Sequence, residues 1–451
     1  MTKIKSIAWL LLFIIMFILP CALYYGGMGE SVAQENRVAN EKPEFSKKSF
    51  ENYSKDYELY YNDNIPFRNE LIFIHNSIDY YVFKKASSDR VIIGKNNWLF
   101  YCDSMDGNPL EQSLGYWKYT DDELKRIADN LITTKKVLED FGIDFVVFIS
   151  PNKETIYSEM IPDLYKKDNG IDSTVQLIEY LQKNTDIKIV YPKEELEEEK
   201  KKNPDVEFYY RLDTHWNNAG AYVGAQKLAQ ILGIDMPLFD NVDYEMETLS
   251  TGDLAKLLNV KIKDASKQYY IIQSSKKFLT EERDDVYDRL SYCMPEGDER
   301  ILFVKRDSFG AALADELAPY FRKSIWQHTN FFKQQQVFDA NTDVFVLETA
   351  ERYVSNLIYF KISFVSVEIK YDNENMQEAT SKCIIISPQK NLECVTIQKK
   401  DSYGREEIIQ TEEGLEEKIE INVPIEETGE VEILIYENDG KTVLDTVVTE
   451  Y

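Results

Sequence analysis

The chain reads as an α/β protein, a doubly wound parallel sheet, followed by a small all-β sandwich. Two observations predict this. Between about Thr120 and Glu348 short apolar runs alternate with segments of helical spacing, and from about Phe364 the texture changes to short alternating strands separated by turn signals. A third observation, an uncharged apolar run from about Ile7 to Tyr25, adds a membrane-spanning helix ahead of both.

At 451 residues the chain exceeds one average domain, so a main domain plus an accessory piece is expected. A formal net charge of −27 argues against a surface for polyanions, and nucleic acid is excluded as a partner on that ground. Aromatic residues reach 13%, with 30 Tyr, which suits a chain that buries rings or stacks them on sugars. Lys3 and Lys5 precede the apolar run, which is just long enough to span a bilayer. The positive-inside rule then places the bulk of the chain outside the cytoplasm, on a single-pass anchor in the cell membrane. A cleaved signal peptide is the alternative, but the run is long for one, and Leu23-Tyr24-Tyr25 lacks a small-x-small site. The expected division is an anchor at 1–25, a polar linker at 26–48, the α/β domain at 49–360 and the sandwich at 361–451.

Phe67, Leu71, Ile74 and Ile78 predict one apolar face of a helix that starts near Pro66. Val91 to Tyr101 predicts a hairpin, with Gly94, Asn96 and Asn97 in its turn. Thr120-Asp121-Asp122-Glu123 is a capping box that opens a helix ending at Gly142, and Ile143 to Ile149 is a strand covered on both faces. A helix from about Ser173 leads to a strand at Ile187 to Tyr191. Val206 to Tyr210 supplies another strand, and a helix from about Asn218 ends at Gly233. Tyr269 to Ile272 and Ile301 to Val304 follow as strands, then a helix from Ala311 to Phe321, and Asp343 to Glu348 is the last parallel strand. The stretch from Lys277 to Arg300 is polar and gives no clear element. In the last domain, strands near Cys383 to Ile386, Val395 to Gln398, Lys418 to Val423, Val431 to Tyr436 and Thr442 to Val448 are separated by turns such as Asn438-Asp439-Gly440.

Chemistry concentrates in two stretches. Asp213-Thr214-His215 sets a carboxylate and an imidazole two positions apart just before a helix, so the acid can orient the ring and the ring can serve a nucleophile. The competing reading is an N-cap Asp beside a surface His. Asp307-Ser308, directly after the apolar strand and Lys305-Arg306, presents a hydroxyl at the top of a parallel sheet. The helix after it would aim free N–H groups at that hydroxyl, a ready oxyanion site. His75 and His328 have no companion group and read as incidental. Cys102, Cys293, Cys383 and Cys394 are too few for a disulfide framework, although the last two could pair across neighbouring strands. No CxxC or His/Cys cluster points to a metal, and no cofactor is expected.

With Gly94-Lys95-Asn96-Asn97-Trp98-Leu99-Phe100, Pro151-Asn152-Lys153, Asp213-Thr214-His215-Trp216-Asn217 and Asp307-Ser308-Phe309 in that order, the chain resembles the SGNH-hydrolase-like family of the alginate O-acetyltransferases AlgJ and AlgX. It is similar above all to the DHHW branch, over roughly residues 49–357. The resemblance implies a flavodoxin-like three-layer α/β/α core, with Ser308 as nucleophile, His215 as base and Asp213 as its orienting acid. Two positions depart from the family pattern. Arg306 stands where a Gly is usual, which would alter the turn or bring a cation to the mouth of the site, and Thr214 replaces the first His of the signature. Asn152 is the candidate side-chain oxyanion donor, or else a turn residue after Pro151. Lys153 and Arg352 are candidates for binding acceptor hydroxyls or an anionic sugar, or for salt bridges with Glu348 or Glu351.

These readings together imply a membrane-anchored, extracytoplasmic O-acetyltransferase acting on a cell-surface or exported polysaccharide, and the resemblance implies a multi-spanning membrane acyltransferase as the partner that supplies its acetyl groups. A carbohydrate acetylesterase with the same triad and a non-catalytic polysaccharide-binding scaffold are the rival readings.

Overall fold

The structure is a computed structural model. It describes residues 52–64, 67–165, 171–263, 266–273, 279–372, 379–390, 392–401, 405–436 and 443–451, together with 40–45, Lys276 and scattered residues of the first 22. Most of the expected anchor and linker, Pro66 and the Asn438-Asp439-Gly440 turn lie outside the described residues. Among these no helix is long and apolar enough to cross a membrane.

The main sheet has seven strands, in the spatial order Lys188–Val190, Asp144–Ser150, Val344–Ala350, Asp298–Arg306, Phe321–His328, Arg289–Cys293 and Thr280–Asp284. The first five are parallel, and the last two close one edge in antiparallel pairing. Strand side chains alternate between faces, and here each face meets helices. Val146 and Phe148, with Leu302, Val304, Val344 and Val346, pack under Leu228 and Leu313, which belong to the helices Asn218–Ile231 and Phe309–Leu317. Phe145, Val147 and Ile149, with Phe303, Phe345 and Leu347, face Leu124, Ile127 and Leu131 of the helix Asp121–Asp140 and Leu177 of Ser173–Asn184. Three layers result, as the sequence predicts.

Local signals explain the boundaries. The Thr120 hydroxyl accepts from the Glu123 N–H while the Glu123 carboxylate accepts from the Thr120 N–H, the two halves of the capping box. Gly142 then takes a φ of +72°, which stops the helix. The hairpin pairs Val91–Ile93 with Leu99–Tyr101, its turn carried by Asn96 and Asn97 at φ of 54° and 61°.

Four expectations need correction. Val206 to Tyr210 is not a sheet strand; it doubles back to make a single bridge, Tyr209 to Trp216. The helix expected over Ala311 to Phe321 spans Phe309–Leu317, and Phe321 instead opens the strand that ends on His328. The polar stretch before Arg300 forms the two antiparallel edge strands, where one solvated face accounts for its polarity. Leu71, Ile74 and Ile78 lie on the expected helix, Arg68–Ile78, but all three are exposed.

Beyond residue 364 a three-stranded sheet, Val365–Tyr371, Ser381–Pro388 and Ile419–Pro424, accompanies a four-stranded one, Glu406–Leu415, Leu392–Asp401, Gly429–Tyr436 and Val443–Glu450. Ile384, Ile386, Ile421 and Val423 of the first share a core with Val395, Ile397, Val431 and Ile433 of the second. This is sandwich packing. Cys383 and Cys394 lie on different sheets, and the cysteines Cys102, Cys293, Cys383 and Cys394 are all free.

Candidate active site

The reversal at 208–217 sets the first half of the site. Tyr210 N–H donates to the His215 carbonyl at 3.2 Å and Asn217 N–H to that of Phe208 at 3.2 Å, so Asp213 to His215 stand at its tip. Each residue of the motif has a separate task. The Asn217 side chain accepts from Gly220 N–H at 3.1 Å and caps the helix Asn218–Ile231. Gly220 is needed there, since a Cβ would lie 2.2 Å from the Phe208 carbonyl oxygen. Trp216, fully buried, donates from its indole to the Phe309 carbonyl at 3.1 Å, tying the tip to the residue after Ser308.

The second half is the end of the strand Asp298–Arg306. Asp307 accepts from Phe309 N–H at 2.9 Å and from Ala350 N–H at 2.6 Å. Its own N–H donates to Glu348 at 2.8 Å, and the other Glu348 oxygen accepts from the Ser150 hydroxyl at 2.7 Å. Three strand ends are therefore bound to one another by two carboxyl groups. Burial, with the adjacent Asp307 charge, pushes Glu348 well above the ordinary carboxylate range.

These halves meet. His215 Nε2 lies 2.8 Å from Ser308 Oγ, and His215 Nδ1 lies 2.7 Å from Asp213 Oδ1. Burial works to raise the Asp213 carboxyl, but its hydrogen bond and charge interaction with His215, and the Asp253 and His215 amides, outweigh it and hold the group well below its ordinary value. An ionised carboxylate only accepts, so the Nδ1 proton belongs on the ring and Nε2 is left to accept from the Ser308 hydroxyl. The arrangement can take a proton from the serine oxygen.

Asp253, the first residue of the helix Asp253–Leu258, completes the clamp. Its N–H donates to Asp213 Oδ2 at 2.8 Å, and its carboxylate accepts from the Thr214 N–H at 2.8 Å and hydroxyl at 2.5 Å. Gly252 allows this approach, because a Cβ would meet the Leu212 carbonyl oxygen at 2.2 Å. A Gly-Asp pair opening a short helix was the available signal. Asp213, His215 and Asp253 offer ligand atoms within 4.8 Å of one another and could hold a metal ion, but through atoms already engaged in these hydrogen bonds.

The four further candidates divide. Asn152 is buried behind the site, its amide donating to Gln112 Oε1 at 3.3 Å and its N–H to Glu351 at 2.7 Å. Lys153 is fully buried, donating to the carbonyls of Tyr210, Arg211 and Asp213 rather than to a carboxylate. Burial brings the Lys153 ammonium down to about 8. Neither residue lines the cavities that contain Ser308 or His215. Lys153 instead braces the loop that carries Asp213. Arg306 is buried too, its charge met by Asp288 at 2.5 Å, and its side chain fills the space that Gly310 leaves open. Arg352 alone lines the cavity that contains His215.

Three cavities adjoin the pair. One of about 320 Å³ holds Ser308 with Lys305, Tyr353, Asn356 and Phe360. Another of about 420 Å³ holds Ser308 with Arg306 and Asp288, and a third of about 430 Å³ holds His215 with Thr214, Asp253 and Arg352. His328, read from sequence as incidental, lines the first two; burial lowers its basicity, against the pull of Asp288.

Residues 91–289 match the family model described as the SGNH hydrolase-like domain of acetyltransferase AlgX. The match takes in Asp213 and His215 and ends before Ser308. Among solved structures, Bacillus cereus PatB1 is 17% identical with a TM-score of 0.45, over 60% of this chain and 97% of that one. A DHHW family protein from Eubacterium siraeum is 14% identical with a TM-score of 0.43, over 55% and 91%. The O-acetyltransferase domain of Pseudomonas putida AlgJ is 16% identical with a TM-score of 0.37, over 60% and 93%. No curated protein matches the chain.

Proposed function

We propose that the protein, whose residues 91–289 match the family model of the SGNH hydrolase-like domain of acetyltransferase AlgX, is an O-acetyltransferase working through Ser308, His215 and Asp213 on a cell-surface or exported polysaccharide. The observation that carries this reading is the unbroken chain of contacts from the Ser308 hydroxyl through both ring nitrogens to an ionised Asp213. Ser308 Oγ attacks the acetyl carbonyl as its proton passes to His215 Nε2. The donor's leaving oxygen takes that proton, and acetyl-Ser308 remains. A glycan hydroxyl then gives its proton to His215 Nε2 and attacks the ester. The bond to Ser308 Oγ breaks, and the serine regains the proton. The negative oxygen formed at each attack is met by the Ser308 N–H and by the N-terminus of the helix Phe309–Leu317.

The segment 1–25, with its apolar run from about Ile7 to Tyr25, serves as the anchor that holds this domain outside the cytoplasm, at 49–360, with the sandwich at 361–451 as an accessory piece. The acetyl donor is supplied by a multi-spanning membrane acyltransferase. Purified protein treated with an activated acetyl ester should gain one acetyl group on Ser308 by mass spectrometry, and Ser308→Ala should gain none. An adduct elsewhere, or equal turnover by the variant, would sink the reading.

One observation favours hydrolysis as a second reading: the Ser308–His215 contact is open to solvent, so water could resolve the acetyl-enzyme. Supplying an oligosaccharide and weighing acetylated sugar against free acetate separates the two.

A further inference from the structure

The helix Arg68–Ile78 and the π-turn Asp79–Phe83 that extends it keep an apolar face in solvent. Leu71, Ile74, Ile78 and Val82 recur at the spacing of one helix face, and all four are exposed. The stripe ends on Val82 and Phe83, which are 67% and 68% exposed, and Lys84, at a φ of 52°, then turns the chain away. An apolar surface this continuous marks a place that something covers.

This face is fastened to the reacting groups through one short helix. Asn76 and Ser87 donate from their side chains to the Leu258 carbonyl at 3.0 and 2.8 Å, and the Tyr81 hydroxyl donates to that of Lys261 at 2.7 Å. Leu258 ends the helix Asp253–Leu258, whose first residue holds Asp213. Lys256 and Leu257 of the same helix line the cavity that contains His215.

Two observations point to what covers the face. The first is its place in the chain: only residues 26–52 separate the apolar run that ends near Tyr25 from the helix Tyr53–Asp63, which leads directly into it. The second is charge. Lys84 and Lys85 follow the apolar tip at once, Lys256, Lys261 and Lys263 stand on the segment bonded to it, and all five are exposed. Of the carboxylates in these two segments, Asp79 faces His75 at 3.8 Å and Asp253 accepts from Thr214, which leaves Glu70 and Asp89 as the exposed ones. Cations thus gather beside the apolar stripe in a chain whose net charge is −27. Rings and branched side chains bordered by lysines suit a bilayer surface, where the apolar groups enter the acyl boundary and the ammonium groups meet lipid phosphates.

Resting on the anchored-acyltransferase reading, we infer that the face from Leu71 to Phe83 lies on the outer surface of an anionic phospholipid bilayer, a second membrane contact in addition to the anchor. An anchor joined by a polar linker leaves the domain free to turn, whereas a second contact fixes its orientation. The helix Asp253–Leu258 then holds the cavity of His215 on the membrane side, where acetyl groups delivered through the membrane arrive.

The test is photochemical. The full chain is placed in vesicles of equal parts phosphatidylcholine and phosphatidylglycerol, with a photoreactive benzoyl-phenylalanine in place of Phe83 or, in a second protein, of Val443, an exposed residue of the sandwich. After irradiation, mass spectrometry should find phospholipid joined to position 83 at about ten times or more the yield at 443. Lys84→Glu combined with Lys85→Glu should cut the yield at 83 by about fivefold, and so should vesicles of phosphatidylcholine alone. Equal yields at the two positions, or a yield at 83 that neither change alters, would overturn the inference. Adducts at 83 that are mainly to protein, whether a second copy of this chain or another protein in native membranes, would overturn it too. Flotation with the vesicles reports on the anchor: flotation without a lipid adduct at 83 removes the second contact alone, and failure to float removes both. Acetylation of Ser308 by a soluble ester should be equal in all these proteins, so the acyl-transfer chemistry stands or falls separately.

Discussion

The α/β sheet and the C-terminal sandwich bury different things. At the C-terminal ends of the parallel strands Lys153, Glu154, Arg306, Glu348, Glu351 and Arg352 are all buried, whereas the sandwich core is Ile384, Ile386, Val395, Ile397, Val431 and Ile433, with Lys382 and Asp445 its buried charges among the described residues. Burying charge is expensive unless each group is met by a partner. What the expense achieves in the sheet is fixed loop geometry. Lys153 gathers three carbonyls of the turn that carries Asp213, and Asp307 and Glu348 bind three strand ends around Ser308. Among its described residues the sandwich core is held mainly by apolar contact between the two sheets.

That contrast can be broken most directly at the reacting groups. Ser308→Ala should lower acetyl-ester turnover by about 10³-fold or more, with thermal stability nearly unchanged; a variant that keeps its rate removes any special status from the polar end of the sheet. Asp213→Asn should cost about 10²- to 10⁴-fold, because an amide lets the Nδ1 proton be lost to the other tautomer. Its pH–rate profile should change shape, a readout that a merely structural role would leave alone.

In the sandwich the loss should appear in stability instead. Ile433→Ala deletes fully buried methyl groups and should destabilise by about 2–5 kcal/mol in chemical denaturation, with kcat unaffected. A fall in kcat would show that the two regions are not separable in this way. Lys153→Met, which keeps the stem but removes the donors, should reduce kcat about tenfold while KM moves little, since the side chain lines none of the cavities at the site.

The smallest effect concerns pH. Burial raises Glu351 to about 7 from an ordinary 4.5, despite donors from Asn152, Thr155 and Tyr191. The folded chain therefore holds a proton there that the unfolded chain releases above about pH 4.5, so this stabilisation is complete below that value and is lost as pH rises through 7. Tm should fall by about 2 °C more between pH 5 and 7 in the unaltered protein than in Glu351→Gln.

Much of the sheet was readable because its signals are local. The capping box at Thr120, the apolar run into Ser150 and the strand into Asp307 all fall where expected. The strand Phe321–His328 was missed although Pro319 marks the end of the preceding helix. Its partner strands, which justify its mixed Arg-Lys-Ser-Ile-Trp composition, lie across an intervening helix, outside the window in which periodicity is read. Asn152 and Lys153 follow a strand at the functional edge of the sheet, a place that suits a ligand-facing donor as well as a turn residue or a salt-bridge partner. Both are buried in hydrogen bonds to the protein and line none of the cavities at the site, and no periodicity over so short a turn distinguishes these roles.

From the order of its residues alone this protein had its layers, its helix caps and the identity of an acid, a ring and a hydroxyl, since each depends on neighbours within a few positions. Only the folded chain decided that those three align and that Asp253 and Lys153 brace them. Such facts are distances between segments far apart in sequence, set by how the layers pack, and local chemistry does not encode them.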